Sequence, residues 1–121
     1  WANRINNIAV YENPDFYFAT GFASDINGIA NQPGPRGDAT ETPLVYPFTS
    51  VDGGVVFDRQ VSGERVYDLN VDGVAHYGLY PDLIADMQQN AGPEGRQAVD
   101  ILFRSAEAYL QMWERTVRYQ P

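Results

Sequence analysis

Asp25 is the residue whose place in the sequence is best suited to chemistry. It ends an apolar, aromatic run, "FYFATGFAS", and opens a long loop, "DINGIANQPGPRG". An acid at the carboxyl end of a buried parallel strand points to where barrels and open α/β sheets keep their sites. There it can bind a metal, orient a substrate amine or shuttle a proton. The plainer reading is turn chemistry, in which Asp bonds its own backbone. His76, in "AHYG", is the only His. One His cannot build a multi-His zinc site; it either pins the loop through backbone hydrogen bonds or contacts substrate. Arg36, in "GPRG", has the fork for a bidentate carboxylate or phosphate clamp; the alternative is a tie from the loop to an acidic neighbour. Asp68 and Asp72, in "DLNVDG", have calcium-loop spacing, but the rest of that motif is missing, so they read as turn acids. The Tyr and Phe residues between 45 and 80 either line a pocket or pack. No phosphate-binding loop, nucleophile elbow or Walker motif is present.

These residues need elements to hold them. Ile5, Ile8 and Ala9 recur at helical spacing over residues 2–12, and "ENPD" stops that helix. Residues 16–23 are short, aromatic and nearly uncharged, which suits a strand buried on both faces of a parallel sheet. Residues 26–47, rich in Pro and Gly, predict an ordered loop; a loop of that length is usually functional or covers something. "FTSVDGGVVFDRQ" predicts a hairpin turning at "DGG". "SGER" gives a second turn and "VYDLNV" a third short strand. Pro81 suits the first turn of a helix whose stripe is Leu83, Ile84 and Met87 and which stops at Gly92. A longer helix is expected over residues 96–118, with Val99, Leu102, Phe103, Ala106, Tyr109, Leu110 and Trp113 in phase. Arg115 and Arg118 near its end suit the negative end of the helix dipole.

The chain has 121 residues and a net charge of −8, with Arg as its only basic residue besides His76. So acidic a chain is a poor partner for nucleic acid, which needs a basic face, and for anionic membrane surfaces. With no Cys, disulfides and thiolate metal sites are excluded. No apolar run approaches the roughly 20 residues of a membrane span, and no signal peptide is visible. The start, "WANRINNIAVYE", without Met, leads to the expectation of a processed or truncated piece.

"GFASDINGIA" resembles the G-x-x-[ST]-D-[FIV]-[DN]-G signature near the end of the renal (membrane) dipeptidase family, read here as Gly21, Ser24, Asp25, Ile26, Asn27 and Gly28. "SDINGIANQPGPR", "YPF" and "LNVDGVAHYGLYPDLI" resemble a bacterial branch of that family, and "AVDILFRSAEAYLQMWERT" its closing helix. The resemblance spans most of residues 15–115. It implies an α/β fold, the C-terminal segment of a metal-dependent (β/α)₈ barrel: last strand, inserted loop and hairpin over residues 29–70, and C-terminal helices over residues 80–118. It implies zinc, with ligands on strands outside this chain. Asp25 would then be the proton shuttle between metal-activated water and the leaving amine, and the substrate a small peptide-like molecule. Asn27 stands where many members carry a second Asp, a departure from the family pattern. With Arg36 and His76 it makes up the candidate substrate-binding set. The expected partner is the remaining N-terminal part of the barrel, covalent or a separate chain. The alternative is a stand-alone, small acidic binding or inhibitory module. Two parallel neighbours for residues 16–23 would favour the enzyme; antiparallel pairing with the 48–59 hairpin would favour the module.

Overall fold

The protein is seen in a computed structural model, which describes residues 2–24, 26, 31–36 and 41–120. It is a mixed α/β chain of helices and small antiparallel sheets, in two compact units: residues 2–23 with 91–120, and residues 24–90.

The first unit is helical. Helix α1 (Ala2–Ala9) turns Ala2 and Ile5 inward, and packs on α4 (Gly92–Phe103), whose Ala98, Val99, Ile101 and Leu102 are buried. The Asn6 amide donates to the Glu94 carbonyl at 3.0 Å across that contact. Helix α5 (Ser105–Arg118) follows after a break at Arg104 (φ −83°, ψ −6°) and buries none of its residues. The single helix expected over 96–118 is therefore two. The break has no Gly or Pro to announce it, and the Asp100–Arg104 ion pair spans it at 2.7 Å as if the helix continued.

Residues 16–23 form no strand in this structure, which corrects the expected parallel one. A ladder needs a neighbour to receive its hydrogen bonds. Neither expected arrangement is present: the hairpin at 48–57 pairs with itself. The backbone groups of residues 17–21 have no partner among the described residues, and the Thr20 hydroxyl is buried without one.

In the second unit, β1 (Phe48–Thr49) pairs antiparallel with β2 (Val56–Phe57), Phe48 opposite Phe57. Their rings stack at 5.4 Å. The turn is built by side chains: the Ser50 hydroxyl donates to Asp52 at 2.6 Å, and Asp52 accepts from the Gly54 N–H at 3.0 Å. A second hairpin joins β3 (Gln60–Ser62) to β4 (Arg65–Tyr67). The third strand expected at "VYDLNV" stops at Tyr67, because Asp68 caps a one-turn helix, α2 (Leu69–Asp72), by accepting from the Asn70 N–H. Asp and Asn compete with strand backbone in this way. A 3₁₀ turn (Tyr77–Leu79) then leads directly into α3 (Tyr80–Asn90). Gly92, at φ +60°, separates α3 from α4 in the left-handed conformation that ends helices. Leu44, Phe48, Leu69, Val74, Leu79 and Leu83 close the core of this unit.

Candidate functional site

Asp25 and Asn27 lie outside the described residues. Arg36 and His76 lie in the unit formed by residues 24–90.

Arg36 is held by its own chain. Its Nη1 donates to Asp86 Oδ2 at 3.0 Å, and Nη2 donates to the Thr42 carbonyl and hydroxyl at 2.7 and 2.9 Å. Asp86 also accepts from Asn90 at 2.8 Å. Nη1 thus ties the loop to α3 and Nη2 ties it to Thr42, the second of its two readings, while Nε is buried without a partner among the described residues. His76 caps the 3₁₀ turn: its Nδ1 accepts from the Gly78 N–H at 3.0 Å. In the neutral ring the proton then sits on Nε2, which is buried without a partner. The Tyr67 ring meets the imidazole edge-on at 4.4 Å. Here too the loop-pinning reading describes the contacts.

The chain around Asp25 is tied on both sides. The Ser24 carbonyl accepts from Gln32 Nε2 at 2.7 Å. Gln32 Oε1 in turn accepts from the Tyr80 hydroxyl at 2.8 Å, and that hydroxyl lies 3.4 Å from the same Ser24 carbonyl. Beyond Asp25, the Ile26 carbonyl lies 3.5 Å from the Tyr77 hydroxyl. Gln32 is steadied from behind. The Val74 N–H donates to the Pro33 carbonyl at 2.9 Å, and Gly73 sits so close that a Cβ there would lie 2.6 Å from Pro33 O. Gly73 has φ +63° and ψ −158°, a region essentially reserved to glycine.

Deeper in the unit lies a polar cluster that sequence reasoning missed. Asp82 is 0% exposed in the first turn of α3, where the helix dipole favours its charge. One carboxylate oxygen accepts from the Tyr46 hydroxyl, which itself accepts from the Leu69 N–H at 3.1 Å; the other oxygen has no partner. Burial pushes the Asp82 carboxyl above its ordinary value, against the hydrogen bond from Tyr46, which favours the charged form. Burial, and then the bond to Asp82, push the Tyr46 hydroxyl well above the usual phenol range. Arg59 stacks over the Tyr46 ring at 4.7 Å and pairs with Asp68 at 2.7 Å. A signal for this cluster was available: Asp82 and Asp86 fall in phase with Leu83 on the buried face of α3 and with Leu79 in the 3₁₀ turn just before it.

Asp68 and Asp72 make turn and cap contacts, in line with the reading drawn from the missing remainder of the calcium motif. Asp72 accepts from the Asp68 N–H at 2.9 Å and pairs with Arg65 at 3.0 Å. Among the described residues no group of three or more His, Cys, Asp or Glu is arranged to hold a metal. These residues alone therefore do not fit a zinc site. No described helix is long and apolar enough to cross a membrane. In comparisons with family models, curated proteins and solved structures, the chain matches none.

Proposed function

We propose that the chain is the C-terminal part of a metal-dependent hydrolase of the renal dipeptidase type, a (β/α)₈ barrel in which residues 16–23, not a strand in this chain by itself, would pair as the last strand once the preceding strands flank them. One observation carries this reading: an apolar segment with β-forming composition whose backbone groups at 17–21 lack partners. Beside it in the same unit, α5 exposes Tyr109, Leu110, Met112 and Trp113 on a helix that buries nothing. A groove of about 440 Å³ runs between the two, lined by Phe16, Tyr17, Thr20, Ala108, Tyr109 and Met112 among others. Unpaired ladder groups and a contiguous apolar face call for covering structure. Preceding barrel strands and helices would supply it, in the same polypeptide or as a separate chain.

In this reading Asp25 stands at the mouth of the barrel. It takes a proton from the attacking water and passes it to the leaving amine of a small peptide-like substrate. Zinc, on donors outside the described residues, is what the resemblance implies for activating that water. Asn27, Arg36 and His76 are the candidate substrate-binding residues of this reading, Arg36 and His76 by their chemistry and not by the resemblance. The contacts of Arg36 and His76 support an indirect part for those two, since both fix the chain that frames the site. The test is turnover of a dipeptide by the native-length protein carrying Asp25→Asn. Near-complete loss of turnover with zinc retained is expected; wild-type turnover would remove Asp25 from the mechanism.

A second reading, a small acidic binding or inhibitory module, is favoured by the self-contained core of residues 24–90. It predicts that these residues fold alone and bind a partner without catalysing anything.

A further inference from the structure

We propose that the outward faces of the two hairpins, β1–β2 and β3–β4, form a docking surface for an extended segment of a partner protein, apolar at its centre and flanked by Lys or Arg. The inference rests neither on Asp25 nor on the barrel.

Side chains along a strand alternate between two faces. A hairpin lying on a core ordinarily keeps its apolar side chains inward and its polar ones outward. The first hairpin turns Phe48 and Phe57 inward, where their rings stack. Thr49 and Val56, opposite each other in the register, take the outer face, and Val56 is 69% exposed. The second hairpin departs further from the ordinary pattern. Gln60 and Tyr67 oppose each other on its inner face, with Tyr67 packed on the core and Gln60 Oε1 beside Gly78. Its outer face carries the Val61–Val66 pair, 67% and 55% exposed. A polar side chain therefore faces in while an apolar pair faces water. Cross-strand neighbours of this kind lie close enough to act as one contact. Each strand also belongs to a two-stranded sheet and pairs on one side only, the geometry to which an extended segment adds itself.

Charge chooses the occupant. Residues 24–90 contain ten Asp or Glu against three Arg. All three Arg are committed within the unit: Arg36 to Asp86, Arg59 to Asp68 and Arg65 to Asp72. The ends of the hairpins are left negative. Asp52 lies in the first turn, Glu64 in the second and Asp58 between the two hairpins, all exposed. None of these three is in an ion pair among the described residues. Valines edged by such acids repel a second copy of this chain, a nucleic acid or an anionic membrane, and favour a basic segment. The acids stand at the hairpin ends, so the matching cations flank the apolar centre of the segment.

The experiment is fluorescence anisotropy of three labelled peptides titrated with the native-length protein. The first is Lys-Lys-Val-Thr-Val-Thr-Val-Lys-Lys; the controls replace its Lys by Glu, or its Val by Ser. Saturable binding of the first, at least about 10-fold tighter than either control, is expected, weakening several-fold between about 0.05 M and about 0.5 M NaCl. Val61→Thr with Val66→Thr keeps the β-branched shape and the charge, and should weaken binding by about 10-fold. Asp58→Asn with Glu64→Gln should weaken it by roughly three- to tenfold and lower the salt dependence. If the double threonine variant does not fold, Val56→Thr and the charge pair carry the test. No saturable binding, equal binding of either control, or wild-type affinity in the valine variants overturns the proposal. So does a dimer in sedimentation velocity that the valine variants make monomeric, which would give the face to a second copy.

Discussion

Replacing Tyr46 by Phe removes one oxygen from the interior and leaves the ring to pack as before, 5.7 Å from Phe48 and under Arg59. Two groups lose their partner: the N–H of Leu69, a residue 2% exposed, and the Asp82 carboxylate, in a residue 0% exposed. An unpaired buried N–H costs about 1–3 kcal/mol, and an unpaired charged group more. At neutral pH the sum is about 3–5 kcal/mol, a large part of the stability of any small domain. The pH dependence gives the change its signature. Burial raises the Asp82 carboxyl above its unfolded value; Tyr46 and then its own backbone N–H pull it down, Asp68 pushes it up, and His76, most weakly, pulls it down. A raised carboxyl contributes stability in full below the unfolded value of about 3.9, and that contribution is lost as pH rises through the folded value. Without Tyr46 the folded value rises further, so the penalty of Tyr46→Phe is largest near pH 7. Near pH 4, where Asp82 takes up a proton instead, it shrinks toward the roughly 1–3 kcal/mol of the Leu69 N–H alone. Tyr46 stays protonated throughout, since its hydroxyl is itself pushed upward. The assay is urea unfolding followed by circular dichroism. At slopes of roughly 1–3 kcal/mol per molar, the midpoint near pH 7 should fall by one to several molar, and by clearly less near pH 4. An unchanged midpoint near pH 7, or an equal drop at both values, refutes the account of this cluster.

Asp72 shows the opposite sign. The Asp68 N–H, and then Arg65, hold its carboxyl below the usual range, so its contribution is present above the unfolded value and lost as pH falls through the folded one. Asp72→Asn should flatten the acid limb of a melting-temperature profile, and an unaltered limb would count against the contact. Gly73→Ala forces a Cβ to within 2.6 Å of backbone atoms at Pro33 and Gly34 in a conformation Ala avoids. It should cost more than about 1 kcal/mol and speed exchange of the Val74 amide, which donates to Pro33. Arg36→Ala removes three hydrogen bonds and leaves Asp86, whose side chain is 10% exposed, without its cation. A loss of about 1–3 kcal/mol is expected by denaturation, and Arg36→Lys should recover only part of it, lacking the fork.

What the sequence disclosed was local. Helical periodicity located α1 and α3, and "DGG" located the first hairpin, because those features depend on residues within a turn or two of one another. The break at Arg104 was hidden: "ILFRSAEAYL" keeps good helix formers across it, while the buried residues of α4 end at Leu102. Residues 16–23 have strand composition, yet a strand is made by its neighbours, and the backbone of residues 17–21 pairs with none among the described residues. Asp68 was read as a turn acid, but its power to start a helix at Leu69, and so to end the third strand, went unused. The site residues divide the same way. Arg36 and His76 announced themselves by type and setting, while their partners Asp86 and Gly78 did not. Tyr46 and Asp82 lie 36 positions apart, and Ser24 and Tyr80 lie 56 apart; folding alone brings such pairs together.

The reading of this chain as one stave and the closing helices of a larger barrel is most directly tested by amide hydrogen exchange at residues 17–21 in the native-length protein. Slow exchange, protected to the level of global unfolding, is expected if neighbouring strands flank this segment. Exchange at the rate of an open peptide would show that no sheet encloses it, and would contradict the barrel and the hydrolase built on it.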